Sequence, residues 1–484
     1  MGPAPVFALA DDLSGAAETA AVLMSPTRPA RIVLSGPPYD AAPPYVAGLP
    51  CDAGWPCDAG WSYDAGPPVL VADLDTRHRS GAAGLVREAL AWATGRHVLV
   101  KIDSLLRGDV AATVHACLTT FSGSAPVPVV LASALPQAGR AVVNGVPLIH
   151  GIPLRETRTS DPVAGPDCAQ GSGPGAGGSG AGRPDTVAAA LGAVPSADIG
   201  LATVRAGPAA LREALAETAA GGRVAVCDAE TDADLDTIVA ATLANDPATR
   251  LVGAGGLAAA LGRALNSGTR AASPAGSPLA SGGGSSTGAL LVVVGTAEPA
   301  AAEQARLLVA HDAAPVVLDA ADLHAMDTGT AVGGGAAGPT GTTAGGNAAG
   351  PTDARGIGPF AGRLRRALGG GGAAVLTVRG AAPPALPALL GRIVREALGG
   401  MPADLVLTGG ETARRVLDAL GVRELFPVGQ VHHGAVHSRT PDGRSVVTRP
   451  GSFGGPDSLL RIAAHLRPRR FPRPGGAAID ERPT

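Results

Sequence analysis

Two adjacent carboxylates follow an apolar run near the start of the sequence. The stretch reads FALADDLSGA, with Asp11 and Asp12 directly after the apolar residues and Ser14 close behind. Such a pair can accept the proton of a substrate hydroxyl or hold a divalent cation, and its mutual repulsion raises one pKa unless a cation intervenes. A helix N-cap is the alternative interpretation, because Asp and Ser both cap well, but one cap needs only one such residue. We therefore expect a reactive site at Asp11 and Asp12.

A second polar cluster follows the apolar run HVLV and reads KIDSLLRGD. Its aspartate offers a base, its serine a hydroxyl, and its arginine a forked donor for a carboxylate or a phosphate. Surface ion pairing is the alternative, but that role does not require so many polar groups directly after a buried strand. The arginine of LDTRHRS lies in a similar position after another apolar run. The candidate residues are Arg77, Lys101, Asp103, Ser104, Arg107 and Gly108.

Three Gly-containing turns in the second half of the sequence indicate phosphate binding. Each lies between an apolar run and a predicted helix, where glycines let the backbone approach a phosphate and the helix N-terminus offers free N–H groups. A tight strand-to-helix connection is the alternative for any one of them. None of the three turns reads GxxxxGK[ST] or GxGxxG, which argues against a P-loop and an ordinary Rossmann site at these positions. The turns contain Thr296, then Gly409, Gly410, Glu411 and Thr412, and finally Arg449 and Gly451.

The elements that position these residues are short Val/Leu-rich runs alternating with helical segments. That alternation predicts an α/β fold with mainly parallel sheets, in which ligands collect at the carboxyl ends of the strands. Low-complexity stretches of Gly, Ala, Ser and Thr bury too little apolar surface to fold. We expect an N-terminal domain over 1–265 with insertions near 40–66 and 165–183, a flexible linker over 266–288, and a C-terminal domain over 289–470 with an insertion near 327–356.

Composition limits the classes of partner. The chain has 484 residues and a formal net charge of −3, which gives no electrostatic footprint for nucleic acid or an anionic membrane. Its five cysteines are scattered without a CxxC pair, so we expect neither a disulfide framework nor a zinc site. The tandem CDAGW unit near 50–66 is interpreted as a surface insertion, and HHGAVH at 432–437 as a solvated loop rather than a metal site. A cytoplasmic protein without a membrane span is the default expectation.

The motifs, taken in order, resemble those of the four-carbon acid sugar kinases. They are DDLSGA, KIDSLLRG, LPQAGRAVVNGVPL, CDAETDADL, GGETA and RPGSFG, and the likeness runs from about residue 6 to about residue 465. The resemblance implies an ATP-dependent enzyme, using Mg²⁺ with ATP, that phosphorylates the terminal hydroxyl of erythronate, threonate or 3-oxo-tetronate. It further implies two α/β domains, with the sugar acid held by the first, ATP by the second, and the active site in the cleft between them.

Carried over to this sequence, the resemblance implies a role for each candidate. Asp12 is the preferred base, ahead of Asp11 and Asp103, while Lys101, Arg107 and Arg77 bind the carboxylate and screen the incoming phosphate. The implied ATP contacts are Thr296, the run Gly409–Thr412 and Gly451. Two departures from the family pattern are Ser14 in place of Thr, which keeps the hydroxyl, and Arg449-Pro450-Gly451 in place of Lys-Ser-Gly, which loses a hydroxyl and an N–H.

One alternative function stays open at this point. A non-catalytic sensor of sugar acids and nucleotides would keep the fold, and the proline at position 450 and the long insertions would then reflect relaxed constraint. The intact sets of acids, hydroxyls and cations favour the kinase. Beyond the small-molecule sugar acid and ATP the sequence names no partner, and homo-oligomerisation is left open.

Overall fold

The structure is a computed structural model, and its description covers most of the chain outside the low-complexity stretches. The predicted linker and insertions, including the CDAGW repeat, lie outside the described residues except at their edges. The described residues are 5–34, 68–77, 81–93, 95–120, 127–157, 183–266, 288–296, 298–319, 322, 354–380, 383–451 and 453–471.

The strands are short and rich in apolar residues, and several are apolar along their whole length. β1, for example, is buried at all five of its positions, as a strand covered on both faces of a parallel sheet must be. In chain order the strands are β1 Val6–Ala10, β2 Ala30–Val33, β3 Val69–Asp73, β4 His97–Lys101, β5 Val129–Ala132, β6 Arg140–Val143, β7 Val146–Ile149, β8 Ile152–Pro153, β9 Ser196–Ile199, β10 Val224–Cys227, β11 Arg250–Gly253, β12 Ala289–Val294, β13 Ala314–Asp319, β14 Ala373–Arg379, β15 Ala403–Thr408, β16 Glu424–His432, β17 Ala435–Arg439 and β18 Ser445–Arg449.

The helices begin at the polar or Gly-containing turns that follow the strands. Asp12, Asp109 and Thr186 cap their helices with side-chain oxygens, and Thr231 forms a capping box with Asp234. In chain order the helices are α1 Leu13–Leu23, α2 Ala82–Leu90, α3 Val110–Thr119, α4 Val187–Leu191, α5 Leu201–Arg205, α6 Pro208–Ala220, α7 Asp232–Asn245, α8 Gly255–Asn266, α9 Pro299–Ala310, α10 Ala354–Leu368, α11 Leu386–Leu398, α12 Gly410–Ala419 and α13 Ser458–Leu466.

The chain divides into two compact units. The first comprises residues 1–280 and 422–443, and the second comprises 281–421 and 444–484. Residues 422–443, which the sequence analysis assigns to the C-terminal domain, therefore belong to the first unit. Both units consist mainly of parallel strands and helices, and the predicted α/β class is confirmed.

The sheet of the first unit has the order β17-β16-β2-β3-β1-β4-β11-β5-β10-β9. The strands from β2 to β9 in this order are parallel, whereas β16 runs antiparallel to both β2 and β17. After β1 the chain turns towards β2 on one side, and after β4 it turns towards β5 on the other. In open α/β sheets such a reversal between neighbouring strands marks the ligand-binding crevice. The polar turns after β1 and β4 lie at this reversal.

A small antiparallel sheet, β6-β7-β8, accompanies the first unit. Its β6–β7 hairpin turns through Asn144 and Gly145, both with positive φ, as a two-residue hairpin loop requires. The carboxylate of Asp228 accepts hydrogen bonds from both of their backbone N–H groups, at 2.7 and 2.9 Å. The hairpin is thereby fixed to the end of β10.

The sheet of the second unit has the order β13-β14-β12-β15-β18 and is parallel throughout. From β12 the chain passes to β13, at one edge of this sheet. From β15 it later passes in the opposite direction, to β18. The reversal therefore lies at β12 and β15, whose last residues, Val294 and Thr408, are register partners. The turns at Gly295 and Gly409 follow these two strands. Among the described residues, none of the helices is long and apolar enough to cross a membrane.

Candidate active site

Arg77 joins the two adjacent aspartates of the first turn. Its guanidinium donates to both oxygens of Asp11, from Nε at 2.8 Å and from Nη2 at 2.9 Å, and to Oδ2 of Asp12 from Nη1 at 2.6 Å. Its backbone N–H also donates to the carbonyl of Asp11, at 3.1 Å. The register of the sheet explains this meeting, because Ala10 at the end of β1 faces Asp73 at the end of β3, four residues before Arg77.

Asp12 also caps the helix that follows it. Its Oδ1 accepts the backbone N–H of Gly15 at 2.7 Å, so the N-cap interpretation holds alongside the contact with Arg77. Gly15 lies close to this carboxylate, since a Cβ atom there would lie 2.9 Å from Asp12 Oδ1 and the Asp12 side chain would have to shift. One carboxylate thus has a structural role as well as a place in the cluster.

Asp103 organises the second polar turn. Its Oδ2 accepts the backbone N–H groups of Leu105 at 3.0 Å and Arg107 at 3.2 Å, and the guanidinium of Arg107 donates to both of its oxygens at 2.7 and 2.8 Å. Gly108 adopts a positive φ, and a Cβ atom there would lie 3.2 Å from the carbonyl of Arg77. The turn therefore packs closely against the stretch that carries Arg77.

Lys101 ends β4 and is almost fully buried. Its ammonium donates to the carbonyl of Ile102 at 3.2 Å and lies 3.9 Å from Oε2 of Glu18 on α1. Glu18 in turn lies against the start of α8, where a Cβ atom on Gly255 would come within 2.6 Å of its Oε1. Glu18 is not among the residues predicted from the sequence. It follows Ser14 by four positions, and this spacing places both residues on one face of the predicted helix.

Arg140 is a second residue that the sequence analysis missed. It begins β6, and its Nη1 donates to the hydroxyl of Ser104. The signal that could have found it is the Asn-Gly pair at 144–145 between alternating apolar residues, which predicts a hairpin that starts near Arg140.

The electrostatics of the cluster separate the carboxylates. Burial raises the pKa of Asp11, and the neighbouring charge of Asp12 raises it further, against the opposing effect of Arg77. Burial would also raise the pKa of Asp103, but the hydrogen bonds and charge of Arg107, with the charge of Arg77, hold it well below its usual value. Burial alone would lower the pKa of Arg77, but the charges of its carboxylate neighbours, Asp11 above all, raise it. Asp103 is therefore a poor proton acceptor, and Asp11 a better one.

The predicted phosphate turns of the second unit lie together at the reversal of its sheet. Gly295 and Thr412 are in close contact, since a Cβ atom on Gly295 would overlap the Thr412 side chain. Thr296 Oγ1 accepts the backbone N–H of Glu298 at 3.3 Å. Gly409 adopts a positive φ and donates its N–H to the carbonyl of Arg449 at 2.9 Å, which ties the second turn to the third.

The start of α12 fits a phosphate. No side chain caps this helix, and the backbone N–H groups of Gly410, Glu411 and Thr412 have no hydrogen-bond acceptor among the described residues. Free N–H groups at a helix N-terminus are the donors that a phosphate accepts. Gly451, in the third turn, is half-buried.

Arg449 does not have the position that the sequence analysis expects. Rather than being available to a phosphate, its side chain is buried, and its guanidinium donates to the carbonyl of Phe453, the hydroxyl of Ser458 and the side-chain carbonyl of Gln304. Burial lowers its pKa to about 10. Arg449 therefore holds the third turn against α9 and α13.

The histidines at 432–437 also differ from the expectation of a solvated loop. His432 ends β16, and His437 lies in β17 and is fully buried. Among the described residues there is no group of three or more His, Cys, Asp or Glu side chains arranged to hold a metal ion. Mg²⁺ usually keeps several waters and binds through substrate phosphates, so a nucleotide-borne Mg²⁺ does not require such a group.

Family models match both halves of the chain. A model described as a sugar-binding N-terminal domain matches residues 6–170 and 184–261, and one described as a nucleotide-binding C-terminal domain matches residues 373–459. The first match includes all the clusters around Asp11 and Asp103, and the second includes the turns at Gly409 and Gly451.

Curated relatives carry kinase names. A D-threonate kinase of Cupriavidus necator is 36% identical over 200 residues, which are 40% of this chain and 43% of that protein. A D-threonate kinase of Bordetella bronchiseptica is 28% identical over 410 residues, 81% of this chain and 84% of that protein. A 3-oxo-tetronate kinase of Methylobacterium radiotolerans is 29% identical over 399 residues, 78% of this chain and 83% of that protein.

Solved structures share the fold. A structure from Salmonella typhimurium LT2 superposes with a TM-score of 0.65 at 20% identity, covering 97% of this chain and 100% of its own. One from Haemophilus influenzae gives a TM-score of 0.60 at 16% identity, covering 95% and 100%. With both family domains matched in order, the chain belongs to the four-carbon acid sugar kinase family.

Proposed function

We propose that this chain is an ATP-dependent kinase that phosphorylates the terminal hydroxyl of a four-carbon sugar acid such as threonate, erythronate or 3-oxo-tetronate. One observation carries the proposal: Asp11, Asp12 and Arg77 form a connected cluster at the reversal of the first sheet, next to the turn of Lys101 and Asp103. This cluster combines a proton acceptor with cations, as phosphoryl transfer to an alcohol requires. The names of the relatives support the substrate class.

The reaction forms a bond between the hydroxyl oxygen of the acid and the γ-phosphorus of ATP. The bond from that phosphorus to the β–γ bridging oxygen breaks, ADP leaves, and the hydroxyl proton passes to a carboxylate. The sequence ranks Asp12 first as the acceptor, but we assign the proton to Asp11. The raised pKa of Asp11 makes it the stronger base of the pair, and its oxygens keep lone pairs beyond those that Arg77 uses. Asp12 then positions Arg77 and the start of α1.

The remaining candidates stabilise charge. Lys101 and Arg107 would screen the transferred phosphoryl group, and Asp103 keeps Arg107 in place rather than acting as a base. In the second unit, the N–H groups of Gly410–Thr412 would donate hydrogen bonds to the ATP phosphates, with Thr296 and Gly451 on the adjoining turns. Mg²⁺ bound with ATP would supply charge neutralisation at the phosphates.

The proposed activity also bears on the compartment and the partners of the protein. An enzyme that consumes ATP to phosphorylate a small acid needs a compartment that supplies both, and we propose the cytoplasm. The partners are then two small molecules, the sugar acid and ATP, with neither nucleic acid nor membrane.

The test is ADP release from Mg-ATP against a panel of D- and L-erythronate, D- and L-threonate and the 3-oxo-tetronates. We expect turnover that depends on one of these acids and that falls at least about 100-fold in Asp11→Asn, because a positioned base contributes that much to the rate. Thermal-shift titrations with each acid and with ATP accompany the assay. Ligand-induced stabilisation without ADP release from the wild-type protein would instead identify a sensor.

A further inference from the structure

We propose that Arg140, from the β6–β7 hairpin, binds the carboxylate of the substrate and so selects acids over neutral sugars of the same length. The proposal rests on the proposed function and assigns its substrate-recognition residue. It also moves the carboxylate contact away from Arg107, which the sequence analysis favours.

The other arginines of the cluster already bind carboxylates of the protein. Arg77 uses Nε and both Nη atoms on Asp11 and Asp12, and Arg107 makes a two-bond contact with Asp103. A forked contact with a carboxylate occupies the same face of a guanidinium that a substrate carboxylate would need. A substrate would have to displace Asp103 from the guanidinium of Arg107. Asp103 also accepts the backbone N–H groups of Leu105 and Arg107, and both would then lose their acceptor.

Lys101 is no better placed for this role. Its side chain is only 7% exposed, and its ammonium is held between the carbonyl of Ile102 and the carboxylate of Glu18. A buried ammonium is a point charge that suits a transferred phosphoryl group, whereas a planar carboxylate is recognised best by a planar fork.

Arg140 differs from these three cations in what faces it. Its hydrogen-bond partner among the described residues is the neutral hydroxyl of Ser104, and its remaining side-chain N–H groups have no acceptor there. The residue is half-buried, so these donors remain accessible. The positive charge of Arg140 helps to lower the pKa of Asp103, although no hydrogen bond joins the two side chains. The guanidinium of Arg140 therefore lies beside the turn that carries Ser104 and Arg107.

The hairpin holds Arg140 in a fixed position. Asp228 accepts the N–H groups of both turn residues, Val142 bridges to Ala229, and the backbones of Leu135 and Arg140 pair with each other. A guanidinium that is held before the ligand arrives loses less side-chain freedom on binding, which increases affinity. The arrangement is thus that of a preorganised anion-binding side chain next to the hydroxyl of Ser104.

The experiment compares Arg140→Gln and Arg140→Lys with the wild type in calorimetric titrations with the four-carbon acids, without ATP. Loss of a charge-assisted hydrogen-bonded contact is worth roughly 1.5–3 kcal/mol, so we expect Arg140→Gln to weaken acid binding about 10- to 100-fold. Arg140→Lys keeps the charge without the fork and should fall between the two. ATP affinity should stay unchanged in both. The control is Arg212→Gln, which removes an exposed arginine on α6.

The outcomes separate this inference from the proposed function. If the wild type binds an acid and Arg140→Gln binds it equally well, the role of Arg140 is wrong and the kinase proposal stands. If the wild type binds none of the acids, the proposed substrate class fails and the inference fails with it. Melting curves show whether Arg140→Gln folds, and if it does not, an Arg140→Lys protein with wild-type acid affinity would overturn the forked contact.

Discussion

Arg77 allows two aspartates to lie side by side in a half-buried turn. The side chains of Asp11 and Asp12 are each only 14% exposed, and without a cation between them their repulsion would favour protonation of one. The guanidinium reduces that repulsion but does not abolish it, since burial and Asp12 still leave Asp11 with a raised pKa. The cluster therefore contains one carboxylate with a raised pKa and one that caps a helix N-terminus.

This arrangement predicts a shift in the pH dependence of turnover. Activity should fall at acid pH as Asp11 becomes protonated, and this limb should lie above 3.8, the ordinary pKa of the group. The substitution Asp12→Asn removes the negative neighbour that raises the pKa of Asp11, so the limb should move to lower pH by up to about one unit even though the maximal rate falls. The measurement is kcat against pH for both proteins. Glu88→Gln, an exposed change on α2, is the control, and a limb that stays in place or moves upward would exclude Asp11 as the base.

Residues were predictable from the sequence where their signal is local. Asp11, Asp12 and Asp103 follow apolar runs directly, and the structure brings their turns together with Arg77. Arg140 was not predicted, because its partner Ser104 lies 36 positions away in the sequence. The two residues meet through the β6–β7 hairpin rather than through the main sheet. Arg449 was misjudged for a related reason. Its partner Gln304 lies 145 positions away, so nothing near it in the sequence indicates that its charge is buried.

At the scale of elements, the β6–β7 hairpin depends on a single carboxylate. Asp228 is buried, and both of its oxygens accept N–H groups of the hairpin turn. A buried donor that loses its acceptor costs about 1–3 kcal/mol, which exceeds what most exposed pairs contribute. The position of the hairpin, and with it that of Arg140, should therefore be sensitive to this one residue.

The substitution Asp228→Ala should accordingly loosen the hairpin without unfolding the first unit. We expect faster hydrogen exchange of the amides of Asn144 and Gly145, and an acid affinity about 5- to 30-fold weaker, as expected for a loss of about 1–2 kcal/mol. Asp236→Ala breaks an exposed ion pair with Arg263 and is the matched control, with changes within about 0.5–1 kcal/mol. Equal exchange rates in Asp228→Ala and the wild type would contradict this role.

At the scale of the whole molecule, the alternation of apolar runs and helices was sufficient to predict the α/β class and the parallel sheets. It could not predict that β16 pairs with β2. The ion pair between Arg31 and Glu424 links residues 393 positions apart, and no local pattern marks such a pairing. The consequence is that the first unit is not one continuous segment of chain but contains a hairpin contributed by residues 422–443.

Completion of the first unit should therefore require residues 422–443. A fragment that ends at residue 280 lacks β16 and β17, leaving the edge of β2 without its partner and Ile32 without the cover of Leu425, both of which are fully buried in the whole chain. Unpaired apolar edges promote aggregation, so we expect this fragment to aggregate and to show no cooperative melting. Attaching residues 422–443 to the end of this fragment through a 20-residue Gly/Ser linker should restore cooperative melting. The root-mean-square span of such a linker is about 25 Å. Circular dichroism melts and light scattering measure both. A soluble, cooperatively melting fragment without the hairpin would mean that β16 covers the sheet edge without being needed to complete the unit.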